Sequence, residues 1–406
     1  MIKKSGFLTL FICLLMLLSP LPVQAQGGPI VQQNSAQVDF PLYLHFNLAA
    51  ESDANITDIR LHYIVDQTSF AQVVSEVYID FTPATSVEVS WTFDLRRIGG
   101  LPTGSSVEYW WAVTDANAAQ VVTSPALVQF NDLRNAWQSL TEGMVTLYWY
   151  QGKESFAREL MATAQQTLDR LAEDTGAYLE KPVNLYIYGS SRDLRGAMIF
   201  PQEWTGGVAF PRFGTIAIGI APGELDWGRR AIAHELAHLV VHQVTLNPYN
   251  DIPVWLDEGL AMYAEGEPES RLLSLLNKAI TENRVTSVRS LSSPFSADAQ
   301  EANIAYAQSY SLVEFLISRY GQAKMLELLD TFGQGSNYDE ALMKVYGFDM
   351  DGLNKRWLDY MTASAGVGEQ AGLVPKPIKA SAGLVTSPLL CLVEGNWRSR
   401  LWTSMF

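Results

Sequence analysis

Apolar and polar residues alternate along the first third of the chain, roughly from residue 38 to residue 131. A strand that buries one face and exposes the other shows this period of two. Residues with turn-forming character separate the runs. The alternating runs are 38–48, 59–65, 87–93 and 107–113, and the turn signals are 53–55, 99–102 and 115–117. About six or seven short strands in such a segment predict an all-β sandwich, which we assign to residues 28–135.

The apolar period then lengthens toward that of a helix. Apolar positions between Phe156 and Leu171 predict an amphipathic helix that ends near Gly176. Three strand-like runs follow, at 183–188, 207–210 and 215–220. After them the chain is predicted to be largely helical to Met361. Strands followed by a series of helices predict a second, α+β and mainly helical domain over residues 140–364. The chain is therefore expected to be multidomain.

The two ends of the chain differ from these domains. Residues 1–25 combine Lys3 and Lys4, an apolar run of about a dozen residues and the small-residue end Val23-Gln24-Ala25, which predicts a secretory signal peptide and an exported or extracytoplasmic protein. The run is shorter than the roughly 20 residues that span a bilayer, although an uncleaved N-terminal anchor is the alternative. No later stretch is long and apolar enough, so no transmembrane segment is expected in the mature chain. Residues 365–406, rich in glycine and proline at their start, are predicted to be a linker and a disordered tail.

The composition and charge of the chain limit the classes of partner and of structural site that it can have. With 48% hydrophobic and 17% charged residues, the 406-residue chain can build a sizeable core. Its formal charge of −15 disfavours nucleic acid as a partner, because phosphate binding needs clustered lysine and arginine. The only cysteines, Cys13 and Cys391, are too few for a disulfide framework or a thiolate metal cluster. The oligomeric state is left open.

Three of the five histidines fall within nine residues, 234–242. The helix around them is apolar nearly all round and should be buried, where unpaired polar groups cost several kcal/mol. His234 and His238 lie one turn apart on one face, about 6 Å along the axis, and can bind a single Zn²⁺ at roughly 2.0–2.1 Å. Glu235 stands beside them as the candidate general base. The alternative is a solvated helix with incidental histidines.

A catalytic zinc ion needs a third protein ligand and an open position. His242 lies two turns from His234, about 12 Å along a straight helix, so one ion cannot bind both. A second helix, antiparallel to the first, is predicted around 255–263 and carries Asp257 and Glu258. On this reasoning either acid can be the ligand, and either could instead cap the helix.

The motifs HELAH at 234–238 and WLDEGLA at 255–261 resemble those of the gluzincins, zinc metallopeptidases of the thermolysin-like and aminopeptidase-like peptidase MA group. The resemblance spans roughly residues 140–361 and implies a zincin-like fold. It implies that Glu258 is the third zinc ligand, with Asp257 supporting the site or capping the helix. It also implies a tyrosine that polarises the scissile carbonyl, for which Tyr306 is the first candidate and Tyr310 the second; a purely structural role is the alternative for Tyr306.

One departure from the family concerns the substrate. Aminopeptidases of this group carry a glycine-rich strand that ends in Glu-Asn, whose acid holds the free amino terminus. The corresponding residues 206–210 read GGVAF, and 196–200 read GAMIF, so neither segment has an acid. This difference favours internal cleavage over aminopeptidase activity. The strand at 215–220 is expected at the sheet edge, where it could pair with an extended peptide.

The N-terminal domain suggests a different kind of role. Residues 101–111 resemble the penultimate strands of an immunoglobulin-like or fibronectin type III module, for which a spacer or adhesion role is the default. The expected function of the whole chain is that of an exported, zinc-dependent peptidase acting on a peptide or protein substrate. Two alternatives are a catalytically silent zinc-binding domain on an exported binding or adhesion protein, and a hydrolase of non-peptide substrates.

Overall fold

The computed structural model describes residues 27–201, 205–368 and 392–393. The predicted signal peptide lies outside these residues. Of the predicted linker and tail, only residues 365–368, which continue a helix, and Leu392–Val393 are described. Among the described residues, no helix combines the length and the apolar character needed to cross a membrane.

The N-terminal domain is all-β, as predicted. One antiparallel sheet contains its seven strands, β1 (Ile30–Asp39), β2 (Tyr43–Val65), β3 (Ser75–Tyr78), β4 (Ala84–Asp94), β5 (Ser105–Asp115), β6 (Gln120–Val122) and β7 (Ala126–Phe130). Strand β2 pairs with β1 and β4 along its first half and with β3 and β5 along its second. Inward-facing residues of both halves, such as Phe46, Leu61 and Trp111, form one buried core.

Two details of the strand prediction are wrong. The turn expected at 53–55 is absent, because β2 continues through it with a shift of ladder register between Glu51 and Ile56. The run 38–48, expected as one strand, is divided by a turn in which the Leu42 N–H donates to the Asp39 carbonyl at 2.9 Å. Pro41 lies in this turn and has no N–H to continue a ladder.

The second sheet belongs to the C-terminal domain. It consists of β8 (Gln138–Glu142), β9 (Val145–Trp149), β10 (Val183–Tyr188), β11 (Gly207–Phe210), β12 (Thr215–Gly219) and β13 (Leu392–Val393), in the order β13-β11-β12-β10-β9-β8. Strands β9, β10 and β12 run parallel to one another, whereas β11 is antiparallel to β12. The expectation that residues 215–220 form the sheet edge is therefore wrong. Strand β12 lies inside, between β10 and β11, and all five of its residues are buried.

The rest of the domain is helical, so the predicted fold class, an all-β domain followed by a mainly helical α+β domain, is confirmed. The helices are α1 (Glu154–Thr175), α2 (Ser191–Arg195), α3 (Leu225–Thr245), α4 (Val254–Glu265), α5 (Ser270–Thr281), α6 (Ala299–Tyr320), α7 (Gln322–Gly333), α8 (Tyr338–Tyr346) and α9 (Met350–Gly368). Helix α1 ends at Gly176, as expected, with the left-handed backbone that glycine adopts readily. Helix α3 contacts α1, α4 and α7 as well as β11 and β12, which explains why it is apolar nearly all round.

Candidate metal centre

Helices α3 and α4 form an antiparallel pair that carries the predicted site. Asp257, near the start of α4, accepts a hydrogen bond from Nδ1 of His238 at 2.8 Å. Glu265, the last residue of α4, accepts one from Nδ1 of His234 at 2.8 Å, one turn earlier on α3. The antiparallel second helix predicted from the sequence is therefore present, and a carboxylate near each of its ends accepts the Nδ1–H of one histidine.

Three side-chain atoms converge where the sequence predicted zinc ligands. Nε2 of His234 lies 3.4 Å from Oε2 of Glu258, and Nε2 of His238 lies 3.8 Å from the same oxygen. Ligand atoms of the three residues all lie within 4.8 Å of one another, and all three residues are buried. A tetrahedral zinc ion with bonds of 2.0–2.1 Å separates its ligand atoms by about 3.4 Å. The triad therefore has the size of a zinc site.

The chemistry of these atoms also fits a metal. Because Nδ1 of each histidine donates to a carboxylate, Nε2 keeps its lone pair and faces the triad. In the described part of the chain, Nε2 of His238 and Oε2 of Glu258 are buried and form no hydrogen bond. Buried polar atoms in native proteins nearly always have a partner, and a metal ion would supply one here. Two imidazoles and one carboxylate leave an open position on the ion, as in catalytic zinc sites.

The structure separates the two acids that the sequence left as alternatives. Glu258 faces the histidine Nε2 atoms, whereas Asp257 lies behind His238 and also accepts a hydrogen bond from Nε2 of His242 at 3.0 Å. Burial acts to raise the pKa of Asp257, but its electrostatic interactions and hydrogen bonds with His238 and His242 hold it well below its usual value. Asp257 is thus an anion that supports the site, and Glu258 is the candidate ligand.

Glu235 lies beneath the sheet. It is fully buried on α3, and a Cβ atom added to Gly207 of β11 would lie 2.7 Å from its Oε1. Only a residue without a side chain lets the strand approach the carboxylate so closely. The carboxylate of the candidate general base therefore lies between its own helix, α3, and the backbone of β11.

Helix α6 packs against α4 beside the candidate ligand. A Cβ atom at Gly259 would lie 2.5 Å from the Ser309 carbonyl oxygen, so the glycine after Glu258 permits the close packing of the two helices. The same face of α6 carries the two candidate tyrosines. Tyr306 lies in a small buried cluster with Met262, one turn after Glu258 on α4.

The surroundings of the two tyrosines differ. Tyr306 meets the ring of Phe295 edge-on, with centroids 5.1 Å apart. Tyr310 stacks on Tyr263 at 6.1 Å, and burial raises the pKa of its hydroxyl. Both tyrosines thus lie near the turn of α4 that follows the candidate ligand, and the part of Tyr306 in the chemistry stays a prediction.

Sequence reasoning missed Glu265. Its side chain, 9% exposed, is hydrogen-bonded to His234, as Asp257 is to His238. A signal exists, because Glu265 follows Glu258 by two helical turns and therefore lies on the same face of α4.

Comparisons with known proteins agree with the motifs. Residues 163–363 match the model of the Peptidase MA superfamily. None of the curated proteins matches the chain. Among solved structures, the chain is similar to an M1 zinc metallopeptidase from Deinococcus radiodurans, with 15% identity over 88% of this chain and 98% of that chain and a TM-score of 0.33. It is also similar to yeast LTA4 hydrolase in complex with bestatin, with 12% identity over 88% of this chain and 71% of that chain and a TM-score of 0.32.

A third similarity is to catalytically inactive OgpA from Akkermansia muciniphila in complex with an O-glycopeptide substrate, with 10% identity and a TM-score of 0.20. It covers 26% of this chain and 30% of OgpA, so the chain spans less than a third of the length of that protein.

Proposed function

We propose, from the premise that residues 163–363 belong to the Peptidase MA superfamily, that the protein is an exported, zinc-dependent peptidase. The observation that carries this proposal is the buried convergence of His234, His238 and Glu258 within 4.8 Å, next to Glu235. A site with these four groups suits hydrolysis of an amide bond by water.

The residues divide the chemistry as follows. Zinc held by His234, His238 and Glu258 would supply a Lewis acid that activates water and polarises the scissile carbonyl. Glu235 accepts the proton of the attacking water and delivers it to the leaving amine nitrogen. The burial of Glu235 keeps competing bulk water away from this transfer. Tyr306 donates a hydrogen bond to the developing oxyanion, a contribution of roughly 3–4 kcal/mol for one donor.

We further propose that cleavage is internal. Strand β11 is the strand that approaches Glu235, and its four residues, Gly207–Phe210, carry no carboxylate. An aminopeptidase needs an acid close to the reacting bond to hold the free amino terminus. The apolar side chains of β11 leave that position without one.

The export part of the proposal rests on residues 1–25 alone. The expected consequence is a processed protein that begins at Gln26 and is found outside the cytoplasm. Intact-mass analysis of the protein recovered from cytoplasmic and extracytoplasmic fractions checks this. A full-length chain confined to the cytoplasm would refute export and leave the zinc site untouched.

The proposed activity is tested on the purified mature chain by metal analysis and by digestion of two peptide libraries, one with free and one with acetylated amino termini. We expect one zinc ion per chain and internal cleavage of both libraries, abolished by a chelator and restored by zinc. Bound zinc without cleavage of any peptide would identify a silent binding domain or a hydrolase of other substrates. Cleavage restricted to free amino termini would refute the endopeptidase assignment.

A further inference from the structure

His242 was set aside as a metal ligand because it lies too far along α3, yet it is tied to the triad. Its Nε2 donates to Oδ2 of Asp257 at 3.0 Å, while Oδ1 of the same carboxylate accepts from Nδ1 of His238 at 2.8 Å. A single buried carboxylate therefore bridges two imidazoles that stand one turn apart on α3. Only one of these imidazoles faces the metal position.

The bridge restrains Asp257. In the described part of the chain, the hydrogen bonds to its carboxylate come from these two histidines only. A carboxylate with one partner can turn about its last torsion and offer either oxygen, whereas a carboxylate held at both oxygens cannot. Hydrogen bonds to an ionised acceptor are also shorter and roughly twice as strong as neutral ones. The bond from His242 thus fixes the oxygen that receives Nδ1–H of His238.

We propose that His242 is a positioning residue for the metal centre: by holding Asp257, it fixes the His238 ring with Nδ1–H toward Asp257 and Nε2 toward the metal. The inference rests on the metal site of the proposed function, but not on peptide cleavage. It concerns only the ligand His238. The other histidine ligand, His234, donates to Glu265, and among the described residues no second histidine contacts that carboxylate.

The position of His242 makes it suitable for substitution. Its side chain is 17% exposed, in contrast to the fully buried His238. It lines a groove of about 490 Å³ between the two domains, together with Asp66 of the β domain and Lys181 and Arg212 of the second domain. A different side chain at 242 can therefore extend into the groove without leaving a closed void.

The test compares two variants with a control on the same helix. His242→Leu removes the hydrogen bond to Asp257, and His242→Gln keeps an N–H donor of similar reach. Thr245→Val is the matched control, because it deletes another buried hydrogen bond of α3, from Oγ1 of Thr245 to the Val241 carbonyl. Zinc affinity of the purified chain is measured by competition with a chromogenic chelator, and the absorption spectrum of the cobalt-substituted chain reports the ligand geometry.

We expect His242→Leu to weaken zinc binding at least about tenfold, as loss of a group behind a ligand does elsewhere, and to shift the cobalt spectrum. His242→Gln should bind within about threefold of the wild type, and Thr245→Val should leave affinity and spectrum unchanged. Because His242 acts through Asp257, adding His242→Leu to Asp257→Ala should cause no further loss.

Three results would overturn the inference. These are an unchanged zinc affinity in His242→Leu, an equal loss in His242→Gln, and losses that add in the double variant. In each case the wild-type chain still binds zinc and the proposed function stands. A wild-type chain without affinity for zinc would overturn both proposals.

Discussion

The histidines of the two domains lie in contrasting environments. In the β domain, His45 donates to or accepts from the Thr92 hydroxyl at 2.9 Å, and His62 lies flat on the ring of Trp110, with centroids 5.4 Å apart. In the helical domain, His234 and His238 are fully buried, and Nδ1 of each donates to a carboxylate that is at most 10% exposed.

The two environments differ in how the ring nitrogens of each histidine find their partners. A ring at a surface can satisfy its nitrogens with water or with a hydroxyl, as the Thr92 hydroxyl satisfies Nδ1 of His45, so it needs no ion. A fully buried ring must find partners inside the protein for both nitrogens. Where carboxylates take Nδ1 on two neighbouring rings and an acid faces both Nε2 atoms, the arrangement suits a metal ion.

The largest loss of activity is expected when the helical site is disabled without removal of its candidate metal ligands. Glu235→Gln keeps the shape of the side chain but cannot accept a proton, so peptide turnover should fall by at least about a hundredfold while zinc content stays at the wild-type level. Single-turnover assays and metal analysis of the same preparation check this. Glu173→Gln, at an exposed position of α1, is the control and should retain full activity. Undiminished hydrolysis in Glu235→Gln would exclude Glu235 from the reaction.

The next largest effect separates the two neighbouring acids. Glu258→Ala removes a candidate ligand and should abolish stoichiometric zinc, whereas Asp257→Ala removes a support of His238 and should weaken zinc binding by roughly 10–100-fold. Chelator competition on both variants measures the order. A larger loss of zinc affinity in Asp257→Ala than in Glu258→Ala would mean that Asp257 is the ligand. The orientation of Glu258 toward the histidines would then have no role in zinc binding.

Asp257 and Glu258 show which part of the site can be predicted from the sequence and which part cannot. Spacing along α3 is local, so one turn of helix is enough to place His234 and His238 on one face. The choice between Asp257 and Glu258 depends on how α4 is rotated against α3, and only the resemblance to gluzincins favoured Glu258. Glu265 escaped because its pairing partner lies 31 positions away in the chain.

The strands show the same limit. The period of two predicted an all-β domain, yet it could not distinguish a turn at 53–55 from an irregularity within one long strand, since both interrupt the alternation. Likewise, the run 215–220 predicts a strand, but its expected place at the sheet edge is wrong. Its neighbours in the sheet are set by long-range pairing, and β11 proved to lie outside it.

A smaller effect is expected where β11 meets Glu235. Gly207→Ala would place a Cβ atom 2.7 Å from Oε1 of Glu235 and displace the carboxylate. We expect turnover to fall about tenfold, equivalent to about 1.4 kcal/mol in the barrier, with zinc content unchanged. Gly223→Ala is the control, since a Cβ atom there meets nothing within 4 Å. Equal turnover in the two variants would show that the approach of β11 to Glu235 does not constrain the reaction.

The smallest change is expected from a histidine of the β domain. His62→Gln removes a ring that stacks on Trp110 and lies 3.7 Å from Oε2 of Glu76, a half-exposed acid. Such a site contributes little, so the free energy of unfolding should change by no more than about 0.5 kcal/mol, and zinc content and turnover should not change. Chemical denaturation and metal analysis measure both. If His62→Gln lost zinc, the β domain would take part in metal binding, and burial with a carboxylate behind the ring would no longer distinguish the two groups of histidines.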